Sequence, residues 1–194
     1  FDDALKHMLK INRLMEMPRG SGLLVGVGGS GKQSLTRLSS YISRFMCFQI
    51  TLTKTYNQAS LLEDIRTLYR NAGAGKGTTF LFTESEIKAE SFLETLNSVL
   101  MTGEVPGLFA KDEIMAMTAE LRPSFIKNRP GVEETQDNLK AYLTDVTRDN
   151  LHLMLCMSPL NPKFPERARR FPGLVSSPTI DWFLSWPEEA LVAV

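Results

Sequence analysis

The sequence predicts an α/β fold, a parallel sheet flanked by helices on both faces. Three observations predict it. Short apolar runs alternate along the chain with amphipathic stretches of helix length. The first apolar run breaks into a glycine-rich loop that opens a helix. Three of the apolar runs end in polar residues, which a parallel sheet gathers at one edge.

The bulk numbers suit that fold. The 194 residues suffice for one domain with a core. They are 43% hydrophobic and 23% charged, as in an ordinary globular chain. The 22 basic and 22 acidic residues cancel, so no net charge favours a nucleic acid or an anionic membrane as partner. No apolar run approaches the roughly 20 residues of a membrane span, and no signal peptide is visible. Cys47 and Cys156 lie in apolar, strand-like runs. They are expected as buried free thiols in a reducing compartment rather than a disulfide. The chain opens at Phe1 without a methionine and stops within a helical pattern at Val194, which reads as a piece of a longer chain.

Element by element, residues 1–16 place Phe1, Leu5, Met8, Leu9 and Met15 at helical spacing. Pro18-Arg19-Gly20 ends that helix and leads into a strand at Leu23-Leu24-Val25. A helix after the glycine-rich loop runs to about Phe45, and Met46–Leu52 is a second strand. Leu61, Leu62, Ile65, Leu68 and Tyr69 mark an amphipathic helix from Ser60. Gly73–Gly77 is a turn whose Lys76 is expected in solvent. Thr78–Thr83 is continuously apolar enough for a central parallel strand. Residues 90–101 are helical, and Gly103–Gly107 breaks them. Residues 111–150 form two helices split at Asn128–Gly131, and Leu151–Met157 is the next buried strand. A short strand near Thr179–Asp181 precedes Trp182–Trp186, and Pro187 suits the first turn of a last helix. His7 and His152 have no partner at ligand spacing and are read as structural. The methionines are read as core filling.

The chemistry centres on Gly26-Val27-Gly28-Gly29-Ser30-Gly31-Lys32. This GxxxxGK spacing between a strand and a helix is that of a P-loop, which binds nucleotide phosphates. Glycines let the backbone curl so that its N–H groups converge on phosphate, and the helix adds its positive N-terminal end. Lys32 can reach the β- and γ-phosphates. The residue after that lysine is ordinarily Ser or Thr, whose hydroxyl holds Mg²⁺. Here it is Gln33, with Ser34 one place later. One residue is about 100° of helix rotation, so Ser34 does not simply take over. Phosphate binding by Gly26, Gly28, Gly29, Ser30, Gly31, Lys32, Gln33 and Ser34 is expected to survive; metal placement is weakened.

The strand Phe80-Leu81-Phe82-Thr83 delivers Glu84 at its carboxyl end. With Glu84 in the water-activating position, Thr83 stands where a metal-side aspartate is usual. Gln33 and Thr83 thus give a depleted metal shell. An alternative register puts Glu84 on the metal and Glu86 as base, provided the strand continues past Glu84. Ser158 ends Leu151–Met157 and could touch the γ-phosphate or the attacking water; a turn before Pro159 is equally natural. Arg167, Arg169 and Arg170 could supply an arginine finger or merely surface salt bridges.

Once these motifs are placed, GLLVGVGGSGKQSLTRLSSYIS, FLFTESEIKAESFLETLNSVLMTGEVPGLF, LHLMLCMSP and IDWFLSWPEEAL resemble the fourth AAA+ module of dynein heavy chains. The likeness covers essentially the whole chain. Met157-Ser158-Pro159 and Arg169-Arg170-Phe171-Pro172 resemble axonemal more than cytoplasmic dyneins. The resemblance implies the large α/β subdomain of a module in a six-module ring, at residues 1–194, with a helical lid subdomain after Val194. It implies ATP or ADP with Mg²⁺ as cofactors, with most hydrolysis carried by the first module and nucleotide binding and regulation by this fourth one. It implies neighbouring AAA+ modules of the same chain, microtubules reached through a stalk, and dynein intermediate and light chains as partners. The implied place is the cytoplasm and cytoskeleton, in the axoneme of a cilium or flagellum. Lys32 matches the phosphate lysine and Glu84 the catalytic glutamate. Ser158 matches the sensor position, usually Asn. Arg167 best matches a finger acting on the preceding module's nucleotide. Two other readings stay open: a module that holds nucleotide as a fixed strut without turnover, and a P-loop kinase with the 167–170 arginines as phosphate lid.

Overall fold

The computed structural model describes residues 2–184. Five parallel strands run in the order β2-β3-β4-β1-β5. They are β1 (Gly22–Gly26), β2 (Met46–Gln49), β3 (Thr78–Thr83), β4 (Leu151–Met157) and β5 (Thr179–Phe183). The helices between them are α1 (Asp2–Glu16), α2 (Lys32–Ile42), α3 (Gln58–Gly73), α4 (Glu90–Thr102), α5 (Lys111–Asn128), α6 (Gln136–Asn150), α7 (Phe164–Arg170) and α8 (Gly173–Ser176). The expected fold class is the observed one.

Alternation along the buried strands divides the core between the two sheet faces. Leu23, Val25, Phe80, Phe82, Leu153 and Leu155 join Leu61, Ile65 and Leu68 of α3 and Phe92, Leu93 and Leu96 of α4. Leu24, Leu81, Met154 and Cys156 meet Ile11, Leu14 and Met15 of α1 on the other face. Phe125, Leu139 and Tyr142 form a small separate cluster between α5 and α6. The N-cap of α3 is Asn57, whose Oδ1 accepts the Ala59 and Ser60 N–H groups, so that helix starts two residues before the expected Ser60.

Several expectations need correction. β2 stops at Gln49 instead of Leu52, and it is an edge strand. Cys47 on it is therefore exposed and not buried, whereas Cys156 is buried as expected. α2 ends at Ile42. β5 extends to Phe183 and so takes in Trp182. α7 was not legible as a helix: it has no buried stripe and carries three arginines. The structural reading of His7 and His152, by contrast, agrees with their hydrogen bonds inside the fold. His7 Nδ1 lies 2.6 Å from Asp181 Oδ2, and His152 Nδ1 donates to the Gly20 carbonyl at 2.6 Å. Phe1 and the last helix expected at Pro187 lie outside the described residues.

The strand order positions the site. β4 lies between β3 and β1, so the residues after β1, β4 and β3 emerge side by side.

Candidate functional site

At Gly26, the last residue of β1, β5 leaves no room for a side chain. A Cβ on Gly26 would sit 2.7 Å from Phe183 Cβ and 3.0 Å from Ser30 Oγ. Beyond it the chain curls. Gly29 and Gly31 have φ of +76° and +85°, a region glycine enters without steric cost. A Cβ on Gly28, Gly29 or Gly31 would meet no atom within 4 Å. These glycines border open space, the room that phosphate oxygens need to reach main-chain N–H groups. Gly31 is also the N-cap of α2, so the positive end of that helix faces the loop.

The Lys32 ammonium folds back over the loop. It donates to the carbonyls of Gly26 and Val27 at 2.7 Å each and to Ser30 Oγ at 2.8 Å. Its burial lowers the pKa below the ordinary lysine value, while Cys156 and the Glu84 carboxylate pull the other way. Cys156 stands opposite Leu24 of β1 and Thr83 of β3. Burial pushes its thiol up to about 12, so it stays protonated and chemically quiet. Gln33 and Ser34 are exposed on the first turn of α2.

The end of β3 is pinned by a side chain that was expected only as an alternative base. Residues Glu84–Glu86 form a 3-10 turn directly after Thr83. Glu86 Oε2 accepts the Thr83 N–H at 2.7 Å, and Oε1 accepts Gln49 Nε2 at 2.8 Å. Arg37 of α2 in turn donates to Gln49 Oε1. Glu86 is buried. That burial raises its pKa, against the hydrogen bonds of Thr83 and Gln49 and the charge of Arg37. The strand does not continue past Glu84, so the register that made Glu86 the base lacks its condition. Thr83 is buried, and its hydroxyl shares a 2.8 Å hydrogen bond with Ser85 Oγ.

Glu84 turns toward the end of β4. Its Oε2 accepts the Ser158 N–H at 3.1 Å, and its Oε1 accepts the side-chain amide of Asn161. Ser158 thus meets Glu84 through its backbone, while its hydroxyl accepts the Leu160 N–H at 3.3 Å within the turn. Arg167 is drawn in as well. Its Nη1 lies 3.8 Å from Glu84 Oε1, and its Nε and Nη2 donate to Glu90 Oε1 at 3.1 and 3.0 Å. The Arg167 side chain is only 12% exposed, whereas Arg169 and Arg170 face solvent.

The fold therefore brings Lys32, Glu84, Ser158 and Arg167 to one sheet edge. It leaves Gln33 and Ser34 on the outer turn of α2 and Thr83 buried beneath. Sequence reasoning missed Asn161, Glu90 and the Arg37–Gln49–Glu86 chain. Asn161-Pro162 signals a turn, but nothing local shows which carboxylate that turn will meet.

Fold and loop together define a P-loop α/β domain of the AAA+ kind. More particularly, the chain belongs to the family described as P-loop containing dynein motor region D4, which matches residues 1–194. It is similar to Dynein axonemal heavy chain 5 of Mus musculus, with 55% identity over 195 residues, 100% of this chain and 4% of that protein. Dynein axonemal heavy chain 8 of Homo sapiens is 51% identical over 100% of this chain and 4% of its own length. The Dynein-1-beta heavy chain, flagellar inner arm I1 complex, of Chlamydomonas reinhardtii is 50% identical with the same coverage, 100% and 4%. The chain thus spans about 4% of the length of these relatives.

Proposed function

We propose that this chain is the nucleotide-holding fourth AAA+ module of an axonemal dynein heavy chain. In this reading it regulates or contributes to ATP-driven, minus-end-directed movement along microtubules. The observation that carries the reading is the loop itself. Two left-handed glycines and an open border at Gly28, Gly29 and Gly31 stand directly before the N-terminus of α2. This cradle fits the phosphates of ATP or ADP. Lys32 already sits at the loop on three oxygen acceptors and would exchange some of them for phosphate oxygens.

For Mg²⁺ the donor set is poorer. Gln33 and Thr83 offer neutral oxygens, and the Thr83 hydroxyl is engaged with Ser85. No group of three or more His, Cys, Asp or Glu able to hold a metal occurs among the described residues. Mg²⁺ normally takes carboxylates along with phosphates. Here the phosphates would have to supply nearly all the negative charge, and the ion would supply charge neutralisation to them. In this reading Glu84 would be the group to orient water, with Ser158 and Arg167 beside it. The strut reading gains support from the same place, because the Glu84 carboxylate is hydrogen-bonded to the chain on both oxygens. Turnover at this site is accordingly proposed to be slow.

Membership in a ring makes the adjoining modules of the same heavy chain its immediate partners. Microtubules through the stalk, and intermediate and light chains, belong to the whole chain. The proposed place is the axoneme of a cilium or flagellum. Lys32→Ala in the intact heavy chain tests the reading: the nucleotide bound at this module is lost, and unchanged nucleotide content would refute it.

A further inference from the structure

A cavity of about 270 Å³ lies at the sheet edge opposite the P-loop, where Ser21 leads into β1 and Leu151 begins β4. Part of its wall is apolar: Val99 and Leu100 of α4 with Leu151 and Leu153 of β4. Its lining carries two arginines, Arg19 and Arg148, and no aspartate or glutamate.

The two arginines are not alike. Arg19 is paired with Asp145 at 2.7 Å and Asp149 at 3.2 Å, and Asp145 also takes Arg129 at 2.8 Å. Three arginines thus meet two aspartates, and Arg148 is the one left over. Its side chain crosses Gly103, where a Cβ would sit 2.3 Å from Arg148 Cδ. Its Nη2 reaches the Met101 carbonyl at 3.5 Å, and it forms no ion pair among the described residues. A half-buried cation without an acid beside it gains from a bound anion. Two hydroxyls add donors. Ser21 is only 7% exposed. Its Oγ accepts the Leu153 N–H at 3.2 Å, which leaves the hydroxyl proton without an acceptor among the described residues. Ser177 Oγ donates to the Met101 sulfur at 3.6 Å, a weak acceptor. The Tyr69 and Thr147 hydroxyls, by contrast, are spent on the Gly103 and Leu143 carbonyls.

We propose that this cavity binds a small organic carboxylate. The charged end pairs with Arg148 and takes the Ser21 and Ser177 hydroxyls, while the apolar body lies on Val99, Leu100 and Leu153. One surplus positive charge matches a monoanion, and the planar guanidinium matches the two oxygens of a carboxylate. A few placed polar groups on an apolar wall are what small-molecule sites are made of. The site is independent of the nucleotide reading, since none of its residues belongs to the P-loop or to the carboxyl ends of β3 and β4.

Benzoate is the probe, with benzamide as its neutral isostere. The intact heavy chain, saturated with ATP, is labelled with the arginine reagent phenylglyoxal. Mass spectrometry of its peptides follows the adduct at Arg148, with exposed Arg122 as internal control. Hydrogen bonds to a charged group discriminate by about tenfold or more. Benzoate is therefore expected to half-protect Arg148 at a concentration at least about tenfold below that of benzamide, and to leave Arg122 labelled. Ser177→Ala raises that concentration, and Lys32→Ala leaves it unchanged. Equal protection by benzamide, equal protection of Arg122, or an unchanged value in S177A would overturn the site. So would an Arg148 that the reagent never reaches, because a ligand could not reach it either. Protection that vanishes in K32A would place the anion at the P-loop and also overturn the site, leaving the nucleotide reading intact.

Discussion

Gly29 shows how much one backbone angle can decide. Its φ of +76° is open to glycine and strained for a branched side chain. Gly29→Val costs roughly 1–2 kcal/mol of local strain and also fills the space beside the loop. The expected result is nucleotide dissociation at least about tenfold faster from the intact heavy chain, with strand amides still protected from exchange. Unchanged dissociation would mean that the loop does not border the phosphates. Glu84 carries the opposite lesson, since a carboxylate at the end of a buried strand need not be free to act. Its oxygens are bound by Ser158 and Asn161, so Glu84→Gln alone is expected to leave whole-chain ATP hydrolysis nearly unchanged. A large loss on that substitution would contradict slow turnover here.

Among the elements, the turn after β3 and the β4–β1 pair have their own consequences. Glu86 holds the turn shut by accepting the buried Thr83 N–H. Glu86→Ala leaves that donor without its partner at a cost of about 1–3 kcal/mol. Amide exchange at the end of β3 should accelerate accordingly, and equal protection would show that the turn is held by other contacts. His152 ties β4 to Gly20 just before β1. Burial lowers its pKa below the ordinary value, with the Gly20 hydrogen bond and the Asp149 charge opposing. The unfolded chain therefore binds the extra proton first. The stabilisation is present above the ordinary histidine value of about 6.5 and is lost as pH falls through the depressed folded value. Exchange protection of β4 in the intact chain, corrected for intrinsic rates, should fall from pH 7 to pH 5. In His152→Asn that slope should flatten; an equally steep slope in the variant would assign it to another group.

Taken together, the chain places its chemistry by topology. β4 is inserted between β3 and β1, so residues far apart in sequence share one edge. The parts encoded locally were legible. Leu151–Met157 was readable to both ends because Asn150 closes a helix before it and Ser158-Pro159 breaks it after. Glu84 was readable from the strand it terminates. What depends on neighbours was not. Cys47 looks buried by composition but lies on an edge strand. α7, with Pro165 and three arginines in seven residues, shows no helical stripe. Asn161 meets Glu84 across 77 residues of sequence, and no spacing rule announces that contact. Whether this module holds a nucleotide tests the reading shared by the turnover and strut versions. The test is an occupancy map of an intact heavy chain purified with ATP, compared with Lys32→Ala. Adenine nucleotide should lie against Gly28–Lys32 in the parent and be missing from that module in the variant. The same occupancy in both, or a parent loop bearing none, would contradict the assignment of this chain as a nucleotide-holding module.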